Sequence, residues 1–179
     1  MMASTHILTG VSVTFAAQTI MPANDTIIFT AVMMATIAGS LFPDIDHHNS
    51  WIGRRAWPLS IIIQMGLRHR GAIHSLLAAV IALAVVMGTC LFLTWPMVYA
   101  YYFFLGYLGH LFGDCLTNSG VPLFWPIKKK VRFPVTLATG TWQETIFSFL
   151  LGGFVMWQGY NSQLLGIPGK IWEIRSGFF

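Results

Sequence analysis

The segment Leu105-Gly-Tyr-Leu-Gly-His-Leu-Phe-Gly-Asp-Cys-Leu116 sets an imidazole, His110, and a carboxylate, Asp114, four residues apart in a stretch too apolar to be anything but a buried helix. At that spacing both side chains leave one face. Gly106 and Gly113 fall on the same side, about one turn either way from His110, so the face joins two potential metal ligands with little bulk around them. An ionisable pair at bilayer depth is costly unless paired or metallated, and it marks a functional site by default. The fold must therefore bring partners to this face.

A soluble domain is excluded by composition. Of the 179 residues, 55% are hydrophobic and only 9% charged, which identifies an integral membrane protein with room for one helical bundle and no second domain. Ten Lys and Arg against six acids give a net charge of +4. In a membrane chain that excess reports orientation and lipid headgroups, and nucleic acid is not an expected partner. Cys90 and Cys115 lie in different apolar segments and suggest no disulfide framework.

Five apolar stretches predict an all-α, polytopic bundle of about five spanning helices: residues 7–21, 26–42, 72–95, 97–116 and 144–160. Pro43 stops the second and Pro96 turns the chain between the third and fourth. An apolar patch at 57–67 is too short to span and reads as an interfacial helix. Residues 117–142 form a long aromatic and basic loop in which Phe124 and Trp125, between two prolines, would lie over the site, and residues 161–179 form a tail of open structure. With five crossings, the amino terminus and the connections after the second and fourth helices share one side. Arg54, Arg55, Arg68, Arg70, Lys128, Lys129, Lys130 and Arg132 all fall there, which makes that side the cytoplasm and the amino terminus cytoplasmic.

The same sorting gathers the chemistry. His6 opens the first helix, Asp44, Asp46, His47 and His48 end the second, His69 and His74 open the third, His110 and Asp114 close the fourth, and Glu144 opens the fifth. All six histidines and four of the six acids thus converge on one membrane face. Clustered carboxylates repel unless a cation sits among them. Imidazole with carboxylate suits zinc first, then manganese or iron, as one ion or two that activate a water, so hydrolysis is the expected reaction class. The His69 to His74 spacing of five misses a shared helical face and requires a turn at Arg70-Gly71, with His74 in the first helical turn. Taken singly, His6 is more often an incidental polar terminus, and Glu144 a helix-N-terminal acid favoured by the macrodipole.

The set His6, Pro43-Asp-Ile-Asp-His47, His69-Arg-Gly-x-x-His-Ser75, Gly106-Tyr-Leu-Gly-His110, Asp114 and Gly120-Val-Pro-Leu-x-Trp-Pro126 resembles the YdjM-like family of LexA-regulated, membrane-bound metal-dependent hydrolases of bacteria. The resemblance covers about residues 6–147. It implies a bacterial inner-membrane protein with a metal site made by His6, Asp44, Asp46, His69, His74, His110, Asp114 and Glu144, and a substrate the family leaves open. The expected function is hydrolysis of an ester, a phosphoester or phospholipid first. Asp46 or Glu144 takes a proton from water, Arg70 offsets phosphate charge, and His47 and His48 support from outside. Two rivals stand beside it: an ion or metal transporter, and a non-catalytic membrane protein that binds a partner around a structural metal.

Overall fold

The computed structural model describes residues 1–18, 26–46, 50, 54–55, 72–127 and 129–161. Among the described residues five α-helices run in the order α1 (Ala3–Gln18), α2 (Thr26–Leu41), α3 (Leu76–Phe92), α4 (Val98–Cys115) and α5 (Trp142–Asn161), with a 3₁₀ turn, Phe42–Asp46, following α2. Among the described residues the only β pairing is two isolated bridges, Thr117 with Leu137 and Val121 with Val131, so the chain is all-α.

Helix α4 is the centre. It packs against α2, α1 and α3, while α1 also meets α2 on one side and α5 on another. A Cβ on Gly39 would run into the Phe103 carbonyl and one on Gly106 into the Thr36 carbonyl, so α2 and α4 touch backbone to backbone where neither tolerates a side chain. Around that seam Phe103, Tyr107, Leu111 and Cys115 of α4 join Ala79 of α3 and Val121 of the following loop in the main apolar cluster. The Tyr107 hydroxyl donates to the Ile73 carbonyl, pinning the turn before α3 to the middle of α4.

Outer faces are apolar. Val80, Ile81, Val85, Leu91 and Phe92 of α3 and Phe149, Leu150, Met156 and Trp157 of α5 are exposed, an arrangement suited to lipid and not to water. The stretch Ile28–Ile45 is long and apolar enough to cross a bilayer, and Leu76–Phe92 is a shorter apolar helix.

Helix limits differ from the expected ones for local reasons. Helix α2 ends at Leu41, just ahead of Pro43 as expected, and the chain continues through Pro43 as a 3₁₀ turn, since the ring fits the helical φ and lacks only the N–H. Helix α3 begins at Leu76, behind Ser75 as N-cap: the Ser75 hydroxyl accepts from the Ala78 N–H at 3.2 Å and donates to the Ala72 carbonyl at 2.6 Å. His74 therefore precedes the first helical turn rather than lying in it. The patch at 57–67 and the tail beyond residue 161 lie outside the described residues.

Candidate metal centre

Each helix delivers its ligand through its own end. In a 3₁₀ turn an N–H reaches back three residues, and Pro43, three beyond Ser40, has none to offer. The Ser40 carbonyl is thus left for the ring of His110, whose Nδ1 lies 2.7 Å from it. A carbonyl only accepts, so Nδ1 carries the hydrogen and Nε2 is the ring nitrogen that faces the cluster. His74 lies in the turn directly before α3, held by the Ser75 cap and by the Tyr107 hydroxyl on the Ile73 carbonyl. The first turn of α1, with the Thr5 and His6 N–H groups on the Met2 carbonyl, sets His6.

The side chains of His74, His110 and Asp114 then meet at three atoms. His110 Nε2 is 3.3 Å from His74 Nε2 and 3.4 Å from Asp114 Oδ2, and His74 Nε2 is 3.5 Å from the same oxygen. Tetrahedral bonds of about 2.0–2.1 Å to zinc require donor-to-donor edges of about 3.3–3.4 Å, which this triangle nearly matches. Asp44 Oδ1, 3.9 Å from His110 Nε2 and 4.0 Å from His74 Nε2, stands over it as a looser fourth donor. At 21% exposed against 1% for His6 and none for His110, Asp44 marks the open side of the cradle.

His6 lies on the other flank. Its ring stacks on His110 with centroids 3.7 Å apart and planes 12° from parallel, in space that Gly113 keeps clear. Its Nε2 is 3.4 Å from Asp114 Oδ1, which also accepts from the Met1 amino group at 3.3 Å. Its Nδ1 is buried with no hydrogen-bond partner among the described residues. Donor atoms of His6, Asp44 and His110 lie within 4.8 Å of one another, as do those of His74, His110 and Asp114. Imidazole nitrogens and carboxylate oxygens gathered within 4.8 Å of one another in a largely buried pocket are a donor set of the kind a divalent cation binds, so the residues fit such an ion.

The structure thus brings five of the expected residues together: His6, Asp44, His74, His110 and Asp114. Glu144 is not brought to the cluster's donors. It is fully buried, with Oε1 accepting from the Met2 N–H at 2.6 Å and Oε2 from the Gly140 N–H at 2.7 Å, so it ties the start of α5 to the start of α1. A hydroxyl pair, Thr5 with Ser148 at 2.8 Å, repeats that tie one turn on. His47, His48, His69 and Arg70 lie outside the described residues, as does the side chain of Asp46. Ser40, Ser75 and Thr5 are site-building residues that ligand spacing did not point to; of the three, only Ser75 carried a signal, a cap residue directly before an apolar run.

The family model described as YdjM inner membrane protein matches residues 1–168. The chain is similar to Inner membrane protein YdjM of Escherichia coli (strain K12) and of Shigella flexneri, in each case 39% identical over 106 residues, covering 58% of this chain and 54% of the relative. It therefore matches about half the length of these relatives. It is also 31% identical over 139 residues to the uncharacterized protein YvsG of Bacillus subtilis (strain 168), covering 76% of this chain and 82% of that one. No solved structure matches.

Proposed function

The chain belongs to the YdjM family of inner membrane proteins, and from that premise we propose that it is a multi-pass, metal-dependent hydrolase whose site opens at the cytoplasmic face. The observation that carries the reading is the near-equilateral triangle of His74 Nε2, His110 Nε2 and Asp114 Oδ2 with edges of 3.3, 3.5 and 3.4 Å. Orientation rests on charge. Lys129, Lys130 and Arg132 belong to the loop after α4, on the same side as the cluster, and the positive-inside rule makes that side cytoplasmic. Five crossings fit the exposed apolar faces; α1, with 16 residues, is about 24 Å long and would have to draw on local bilayer thinning.

A divalent ion in this cradle would supply Lewis-acid activation of water and offset charge on the leaving oxygen. The chain does the rest. Ser40 sets the Nδ1 hydrogen of His110, the Ser75 cap and the Tyr107–Ile73 bond hold the turn that carries His74, and Asp114 faces all three imidazoles. Glu144 has both oxygens engaged with backbone N–H groups, so in this reading the proton goes to Asp46, two residues along the sequence from Asp44.

Substrate class follows from the surroundings. The loop is anchored at the cluster by Phe133 N–H on the Cys115 carbonyl, Leu137 N–H on Leu116 and Leu76 N–H on Leu123. It exposes Phe124, Trp125 and Ile127 next to the basic residues, which suits headgroup depth and a phosphate-bearing ester, a phospholipid before a soluble one, with Arg70 as a further cation. An ion pathway gains little support here: of the buried hydroxyls deeper in the bundle, Thr9, Ser12 and Thr36 each donate to a carbonyl of their own helix, and Thr14 donates to the Thr36 hydroxyl at 2.7 Å.

The test is turnover by purified, zinc- or manganese-loaded protein of phospholipid in mixed micelles and of soluble phosphomonoesters and diesters. Release of phosphate or headgroup that disappears in the His110→Ala, Asp114→Ala double variant is the expected result. Equal release by that variant would refute the reading.

A further inference from the structure

We propose that the cradle holds two divalent ions bridged by Asp114, with His6 as a ligand of the second. This deepens the metal reading above and rests on it. The geometry is that of a shared carboxylate: His110 Nε2 faces Asp114 Oδ2 at 3.4 Å, and His6 Nε2 faces Asp114 Oδ1 at the same 3.4 Å. Oδ1 is addressed by the His6 ring and the Met1 amino group, and Oδ2 by the rings of His110 and His74. The His6 and His110 rings are stacked with centroids 3.7 Å apart and planes 12° from parallel, so each ring reaches its own oxygen of the one carboxylate. Two-metal hydrolytic sites have separations of about 3.5–4 Å.

A hydrogen bond does not account for the His6 contact as well. A charge-assisted N–H to carboxylate bond closes to about 2.7–2.9 Å, and 3.4 Å is half an ångström or so too long for one. It is, however, the edge expected between two donors of one ion. Asp44 extends the second site, since its carboxylate comes within 4.8 Å of the donor atoms of both His6 and His110. One tetrahedral ion would also leave part of the set idle, because three imidazoles and two carboxylates exceed four donors. Charge gives the arrangement a consequence. Two divalent ions against Asp44 and Asp114 leave an excess of positive charge, which an anionic phosphate ester would complete.

The experiment uses the full chain in detergent or nanodiscs, loaded with manganese(II) alone, desalted, and examined by elemental analysis and electron paramagnetic resonance. The expected result is two manganese ions per chain and an exchange-coupled spectrum, falling in His6→Ala to one ion per chain with the hyperfine pattern of an isolated ion. One ion with an isolated-ion spectrum in the wild type would overturn the pair and leave the single-metal reading standing. No bound ion would overturn both. Should His6→Ala fail to fold, the wild-type stoichiometry and spectrum decide alone.

Discussion

Replacing Asp114 by Asn separates a metal site from a hydrogen-bonded knot of imidazoles. The amide keeps the carboxylate's shape, loses its charge and turns one terminus into an NH₂ donor. That donor would face either His6 Nε2, 3.4 Å from the present Oδ1, or His74 and His110 Nε2, 3.5 and 3.4 Å from Oδ2. If hydrogen bonds alone held the cluster, the amide would serve as well, and stability would change by no more than about 1 kcal/mol. A cation site responds differently, because the variant lacks the one carboxylate that all three rings share. At free metal a hundredfold above the dissociation constant, wild type gains about 2.7 kcal/mol over the chelated protein. For a chain of this size that is about 5–11 °C in melting temperature, at about 2–4 °C per kcal/mol. Tryptophan-fluorescence melts in detergent, with metal and with chelator, read the difference directly. The expected result is a metal-dependent shift in wild type and none in Asp114→Asn. An equal shift in both proteins, or none in wild type, would refute the reasoning.

Other predictions follow from single contacts. Ser75→Ala removes the α3 cap and is expected to cost about 1 kcal/mol in melting experiments; by loosening His74 it should also weaken metal binding on the order of tenfold in a titration. Thr89→Ala, which loses only an exposed hydroxyl bond to Val85, should change neither. Glu144→Gln leaves one of the Met2 and Gly140 N–H groups without an acceptor, so the melting temperature should fall by the equivalent of about 1–3 kcal/mol. Its metal content should stay at the wild-type value, and a loss would put Glu144 among the ligands. Cysteines introduced at Lys130 and Thr94, beside buried native thiols, should react with an impermeant maleimide from opposite sides of the membrane. Labelling of both from one side would contradict the crossing scheme.

The convergence of the ligands was legible because it depends on few facts. Alternating helix directions, read from apolar run lengths, put His6, Asp44, His74, His110 and Asp114 at the same end of their helices, and the structure gathers those five. The four-residue spacing of His110 and Asp114 survives as a contact of 3.4 Å on one face of α4. Gly113 reads correctly as room, here for the ring of His6.

Local detail was less accessible. The α-helix ends before Pro43 as expected, but the 3₁₀ turn that follows, and frees the Ser40 carbonyl for His110, has no signal in the apolar run. A buried acid at a helix start reads equally as ligand, base or cap; only the positions of the Met2 and Gly140 N–H groups assign Glu144 to holding two helix starts together. The bridging disposition of Asp114 depends on the rotation of α1 against α4, which no sequence spacing encodes.

X-ray absorption at the metal edge of purified, metal-replete wild-type protein tests the central claim most directly. The account predicts a first shell of nitrogen and oxygen at about 2.0–2.1 Å with the outer-shell scattering of imidazole rings, lost in the His110→Ala, Asp114→Ala double variant. A shell containing sulfur, a metal that persists in that variant, or no bound metal would contradict it.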